Sequence, residues 1–257
     1  MFRSPIFLAT GALGLLAPLA AHADSVNQTL DGKRLDIEVT CVDRVEIQPQ
    51  AGLAGKVTVE AHSDRDGELK DFVFAGGETA SVSRKRQVCT SDGPKVTVSV
   101  RVPAGMPLDI KSGGSTDYTI GAVGGPLDAH LAGAGNLKAE AVSDLYLTIA
   151  GFSNARLSQV TGATDIRIAG SGDVKIGSAT MPSLKIDVRG SGNVQVDQGQ
   201  IGTLDAGVTG SGNLNIKAVV KDANLSSVGS GDIQVAKVTG SLQTNKAGSG
   251  SIRAGRD

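Results

Sequence analysis

From Gly114 onward, short bursts of alternating apolar and polar residues recur along the chain with a fixed period. Each burst follows a glycine-rich turn. The turns begin at Gly114, Gly133, Gly151, Gly170, Gly190, Gly210, Gly229 and Gly248, at intervals of 18 to 20 residues. The clearest copies read GSGDVKI, GSGNVQV, GSGNLNI and GSGDIQV, while GSTDYTI, GAGNLKA and GFSNARL are looser. Four residues after the first glycine stand Tyr118, Leu137, Ala155, Val174, Val194, Leu214, Ile233 and Ile252. Six after it stand Ile120, Ala139, Leu157, Ile176, Val196, Ile216, Val235 and Ala254. Between them lie Thr119, Lys138, Arg156, Lys175, Gln195, Asn215, Gln234 and Arg253. Apolar, polar, apolar is the period-2 signature of a strand with one buried face. A second strand precedes each turn, as in Leu145, Leu147, Ile149 and in Leu184, Ile186, Val188.

Two short strands and a corner in about 19 residues cannot bury themselves, but stacked copies can. The pattern therefore predicts an all-β, single parallel β-helix: a β-solenoid of about eight regular rungs, each strand pairing with its equivalent about 4.8 Å away. The crossover rule favours a right-handed coil, although left-handed hexapeptide solenoids have coils of similar length. Three residues after the first glycine stand Asp117, Asn136, Asn154, Asp173, Asn193, Asn213 and Asp232, then Ser251. Asn amides one rung apart can hydrogen-bond in a ladder. Two Asp would repel, and in this column two Asn always separate them. The flanking glycines suit a turn that needs positive φ.

Residues 24–107 lack the glycine turn yet remain strand-like, notably over 34–40, 44–47, 56–60 and 95–102. They are expected to form irregular N-terminal coils that cap one end of the regular repeats of 108–257. At the other end, Ser227, Thr244 and Lys246 take columns held earlier by Val, Ile or Ala. That gradient fits polar blunting of an open edge, or an end that docks to another chain, such as a homo-oligomer contact.

Residues 1–23 form a signal peptide by pattern. Arg3 starts it, an apolar run from Ile6 to Ala21 is broken only by Thr10, and Ala21-His22-Ala23 offers a small-x-small cleavage site. An exported chain meets oxidising conditions, so Cys41 and Cys89 are expected to form one disulfide. After Arg3 is removed, 24 Lys+Arg face 26 Asp+Glu. That balance gives no electrostatic reason to expect nucleic acid or an anionic membrane. No later apolar stretch is long enough to span a bilayer. Aromatics are scarce and Trp is absent, so Val, Ile, Leu and Ala must fill the core, and a sugar-stacking lectin cleft is not expected.

No catalytic chemistry is expected. Outside the signal segment only His62 and His130 remain. His62 sits in a polar run that suits a solvated loop, and His130 alternates outward. No Gly-x-Ser-x-Gly elbow is present. No Cys or His pair has metal-ligand spacing. Asp117, Asp173 and Asp232 share a column but lie three rungs apart, about 14 Å on the rung spacing, too far to act as an acid–base pair. The turns lack the Gly-Lys-Ser/Thr of a phosphate loop. No cofactor or metal is expected. Lys138, Arg156, Lys175 and Arg253, with Gln195, Asn215 and Gln234, form an outward polar stripe. It reads first as a solvated face and second as a binding one.

The repeated G-S-G-[DN]-[VLI]-x-[VI] turns, with Val102-Pro103 before the first and a signal peptide, resemble the head GIN domain family of autotransporter adhesin-like proteins. They also resemble other adhesin-like bacterial β-solenoid domains. The resemblance covers about residues 35–257. It implies a non-catalytic surface or periplasmic β-solenoid, and it supplies no catalytic residues. No membrane barrel follows the repeats, so self-export is not expected. The sequence thus points to an interaction scaffold in the bacterial periplasm or at the cell surface, with a protein or envelope glycan as partner. A polysaccharide-acting enzyme and a self-assembling structural subunit are the alternatives.

Overall fold

The computed structural model describes residues 24–84, 89, 93 and 95–256; residues 1–23, read from the sequence as a signal peptide, lie outside them. Among the described residues there is no α-helix. The N-terminal strands are β1 (Asp24–Asp31), β2 (Arg34–Val39), β3 (Arg44–Pro49), β4 (Lys56–Ser63), β5 (Phe72–Ala75), β6 (Thr79–Arg84) and β7 (Val96–Val102). A short 3-10 turn, Glu68–Asp71, precedes β5. The solenoid proper begins with β8 (Leu108–Gly114) and β9 (Asp117–Ile120), then β10 (Leu127–Gly133), β11 (Asn136–Val142), β12 (Leu145–Gly151), β13 (Asn154–Val160) and β14 (Thr164–Gly170). Strand then runs through whole coils in β15 (Val174–Gly190), β16 (Val194–Gly210) and β17 (Leu214–Gly229). It ends with β18 (Ile233–Val238), β19 (Leu242–Ala247) and β20 (Ile252–Arg256).

The strands before the glycine turns stack in parallel as one face, which we call face A. Those after the turns stack as face B. Leu127, for example, pairs with Leu108 below and Leu145 above, and Val194 with Val174 and Leu214. The strands flanking the turns are thus in register from rung to rung, and the register shifts only where the upper coils leave face B, between Val196 and Gln200, Ile216 and Val219, and Val235 and Val238. A third, short ladder joins the two faces, with Ser178–Met181 on Gln198–Ile201. Val142, Val160, Ala179, Met181, Ile201, Val220 and Val238 point inward on that side, but not at one fixed distance from the glycine turn, so the turn pattern does not reveal it.

The turn is where rungs approach most closely. The Gly210 carbonyl accepts the N–H of Ser230 at 2.9 Å and of Gly231 at 3.1 Å, and the Gly190 carbonyl accepts Ser211 and Gly212 likewise. Gly210 has φ +128°, and a Cβ built there would lie 2.3 Å from the Gly190 oxygen. At Gly212 a Cβ would lie 2.2 Å from the Gly192 oxygen. Both glycines are therefore required, one by conformation and contact and one by contact alone.

Below the first regular rung the rungs leave chain order. β2 and β3 stack directly on β8 and β9. β6 and β7 then stack outside β2 and β3. Hence the chain lays down one rung, returns to build a rung beneath it, and steps over the first to reach β8 through Pro103–Pro107. By extension of the Leu35–Leu108 register, Cys41 occupies the place of Gly114, and it adopts φ +55°. Positive φ is unfavourable for a residue with a Cβ, by about 1 kcal/mol or more. Two contacts hold it: the disulfide to Cys89, and the fully buried guanidinium of Arg84, which donates to the Cys41 carbonyl. Closing a loop of 48 residues' separation contributes about 4 kcal/mol on the chain-entropy account.

Antiparallel strands finish this end, β5 on β6 and then β4 and β1 beyond β7. Leu69 and Phe72 are buried there. Arg84 lies over the Phe72 ring at 5.2 Å and donates to the Glu68 carboxylate at 3.1 Å. The opposite end has no comparable cover: Thr244 and Lys246 occupy inward columns yet are exposed. Ser227, one rung in, is buried and donates to the Gly231 carbonyl at 2.7 Å.

Gly210→Ala should lower stability by about 2 kcal/mol or more, from left-handed strain plus the carbonyl contact. Chemical denaturation against Ser211→Ala, which adds no Cβ where one was absent, measures the difference.

Candidate functional site

The solenoid presents its chemistry in columns. In the turn column, each carboxylate or amide oxygen accepts from the rung above. Asn136 donates to Asp117 from its backbone at 3.0 Å and its amide at 2.9 Å. Asn154 Nδ2 lies 3.4 Å from the Asn136 oxygen, and Asp173 N donates to Asn154 at 3.1 Å. Asn193 donates to Asp173, and Asn213 to Asn193, each through both nitrogens. Asp232 N donates to Asn213, and Ser251 closes the series with N–H and hydroxyl at 2.7 and 2.9 Å from Asp232. The Ser251 N–H, then its hydroxyl, hold the Asp232 carboxyl below the ordinary carboxylate range. Each of these seven Asx residues accepts from the residue one rung above it, a structural use of the column.

On face B the stripe Lys138, Arg156, Lys175, Gln195, Asn215, Gln234 and Arg253 is one continuous outward column. Asp197 joins three of its neighbours, accepting from Gln195 and pairing with Lys175 at 3.1 Å and Lys217 at 3.4 Å. The Gln195 amide, followed by Lys175, depresses the Asp197 pKa.

Face A holds a cluster that the turn-centred reading passes over. Its first outward row runs Asp36, Asp109, Asp128, Tyr146, Asp165, Lys185. Its second runs Glu38, Lys111, His130, Thr148, Arg167, Asp187. Three carboxylates one rung apart would repel, and cations are interleaved with them. Arg34 reaches Asp109 at 3.2 Å and Lys111 reaches it at 3.4 Å, while His130 lies 3.1 Å from Asp128. Arg167 forks onto Asp165 at 2.9 and 3.2 Å, donates to the Tyr146 hydroxyl at 2.7 Å, and lies 5.1 Å over its ring. Burial pushes the Asp36 carboxyl up, opposed by Lys111 and reinforced by Asp109.

A groove of about 930 Å³ runs along the edge of this face, lined by Arg34, Pro126, Leu127, Asp128, Tyr146 and Lys185 among others. His130 stands at its margin, pointing outward, with its ring 5.5 Å from Tyr146. His62 is exposed on β4. This row was missed in the sequence, although its signal is periodic: Asp109, Asp128, Tyr146 and Asp165 follow at the same spacing as the glycines. Arg34 was not legible, since it arrives from the out-of-order rung. Among the described residues no group of three or more His, Cys, Asp or Glu could hold a metal ion. No described helix is long and apolar enough to cross a membrane.

The family model described as "Putative auto-transporter adhesin, head GIN domain" matches residues 37–217. Among solved structures, a protein described as a putative adhesin from Parabacteroides distasonis superposes with TM-score 0.65 at 17% identity, over 91% of this chain and 98% of that one. A putative adhesin from Bacteroides fragilis gives 0.55 at 18% identity, over 90% and 97%. A putative lipid binding protein from Parabacteroides distasonis gives 0.54 at 14% identity, over 91% and 96%. At these identities the likeness is one of fold. Neither the family nor these neighbours are named as enzymes. No curated protein matches the chain.

The hydrogen bonds to Asp232 are stronger to its ionised form. Its stabilising contribution is therefore full above the ordinary carboxylate pKa of about 4 and disappears as pH falls through its lowered value. Ser251→Ala removes the hydroxyl donor, so the Asp232 titration, followed by carboxyl-carbon NMR, should move upward; an unmoved midpoint would count against the ladder.

Proposed function

Because the chain belongs to the head GIN domain family, we propose that it is an adhesin-like, non-catalytic binding module of the bacterial envelope, working through the flat polar faces of a rigid rod. The observation that carries this reading is the pairing on face A. Asp109 faces the Arg34 guanidinium, Asp128 the His130 ring and Asp165 the Arg167 guanidinium, and these groups are carried on strands rather than loops. Groups fixed in this way suit hydrogen-bonded recognition of a repetitive surface, because little side-chain entropy is lost on contact. A general acid must instead hold a removable proton, and paired carboxylates are poorly suited to that.

The partner is an envelope glycan or protein. Tyr146 is covered on one side by Arg167, so the groove supports edge-on hydrogen bonding more than the open aromatic platform of a sugar-stacking cleft. The disulfide and the family fit an exported protein, in the periplasm or at the surface. One observation favours the rival reading, a polysaccharide-acting enzyme. Asp109 and Asp128 sit one rung apart, about 4.8 Å, close to the separation of retaining glycosidase carboxylates.

Retention of the purified chain on immobilised envelope polysaccharide and on envelope protein, with reducing ends assayed in parallel, separates the two readings. Binding without released ends is expected, weakened about 5-fold or more by Arg34→Ala, the loss of one charge-assisted hydrogen bond. Released ends abolished by Asp128→Asn would establish the enzyme instead, and retention on neither material would end the adhesin-like reading.

A further inference from the structure

One rung of the solenoid breaks its own repeat. Directly after the first glycine of the turn the copies carry Ser115, Ala134, Ser171, Ser191, Ser211, Ser230 and Ser249, but the third copy carries Phe152. Its backbone keeps the turn, donating to the Gly133 carbonyl at 2.7 Å, while the residue is 70% exposed. A single exposed apolar side chain is ordinary on a protein surface. This one stands where the repeat otherwise places a hydroxyl or a methyl, in a chain poor in aromatics. The residues around it are small. Ala134 and Ser171 flank it in the turn column, and Ala132, Ala150 and Ala169 stack in register at the end of face A, all of them exposed. No side chain in either column is large enough to cover the ring.

From the turn into face B the same rung presents Phe152, Asn154 and Arg156 outward in succession, as strand alternation requires. Asn154 Nδ2 lies 3.4 Å from the Asn136 oxygen, the longest amide contact of the turn column, so this amide is the one most free to turn toward a ligand. Arg156 stacks between Lys138 and Lys175. On face A the stacked carboxylates are met by Arg34, Lys111 and His130. Here Lys175 pairs with Asp197 at 3.1 Å, but among the described residues Lys138 and Arg156 have no ion pair. Two unpaired cations directly opposite each other repel, and a carboxylate laid across them relieves that cost. A notch of about 180 Å³ opens beside Arg156, lined by Asn154, Asp173, Lys175, Asn193 and Gln195 among others.

We propose that the Phe152 rung binds an acidic saccharide, at a site on the turn ridge and face B that is separate from the face A groove. The C–H face of one sugar ring stacks on Phe152, and its hydroxyls hydrogen-bond with the Asn154 amide. A carboxylate further along the saccharide takes the Arg156 fork, with Lys138 and Lys175 on either side. Phe152 and Arg156 are four residues apart, up to about 13 Å at the rise of a strand, so a short oligosaccharide reaches both. Asp117, Asp173 and Glu140 lie in the columns beside the cations. They disfavour a nucleic acid, which carries a charge on every unit, but accept hydroxyls from a saccharide whose acids are spaced apart. One ring and a strip of alanines also fall short of the apolar core of a stable protein interface. The site does not depend on what face A binds.

Titration calorimetry of the purified chain with tetragalacturonate, its methyl ester and an oligosialic acid tests it. Both acids should bind, and the ester, which keeps the rings and loses the charge, should bind about 10-fold more weakly than tetragalacturonate. Phe152→Ser and Arg156→Gln each install a residue that a rung above already carries, Ser171 and Gln195, so the fold is retained, as circular dichroism checks. Phe152→Ser should weaken acid and ester alike, by about 5-fold or more. Arg156→Gln should weaken the acid about 10-fold and leave the ester unchanged. Arg34→Ala, in the face A groove, should change neither. Failure of both acids to bind overturns the proposal, and so does binding that neither Phe152→Ser nor Arg156→Gln reduces. Binding reduced by Arg34→Ala alone would place the saccharide on face A, sinking this site while leaving the reading of face A intact.

Discussion

Everything in this molecule depends on the close approach of successive turns. One glycine carbonyl accepts two N–H groups from the rung above, and this is possible only where no Cβ intervenes. The constraint fixes the register of both strands leaving the corner, since a slip of one residue would turn every inward Val, Ile and Leu outward. Once the register is fixed, like residues stack on like. The core becomes columns of aliphatic side chains, the turn surface a column of Asx and Ser, and the outer faces columns of whatever the sequence places there.

Stacking identical positions is favourable for amides and aliphatics and costly for charges. The chain meets this cost in two ways. In the turn column, Asn separates the Asp residues, and each oxygen finds donors one rung up. On face A, where Asp36, Asp109 and Asp128 are neighbours, Arg34, Lys111 and His130 are brought alongside them. Rigid charged columns are thus a by-product of the repeat.

The regular part of the fold was open to reading because its cause is local: glycine spacing and period-2 alternation. The turn ladder and the Cys41–Cys89 bridge followed from chemistry visible in single residues. The order of the first two rungs was hidden. The turn between β2 and β3 has Cys41 where the others have glycine, so it carries no motif, and the return of the chain to build β6 and β7 outside β2 and β3 leaves no periodic trace. Face A was legible in part. Its aspartates keep the glycine period, but their partner Arg34 comes from the hidden rung, and the groove beside them runs from that rung along the regular ones.

Amide hydrogen exchange followed residue by residue tests the stacked-ladder account most directly. The turn amides of Ser191, Gly192, Ser211, Gly212, Ser230 and Gly231 donate across rungs, so they should exchange as slowly as the amides of the flanking strands, with protection falling only toward β19 and β20. Turn amides that exchange at the rate of open loops while the strands stay protected would contradict it.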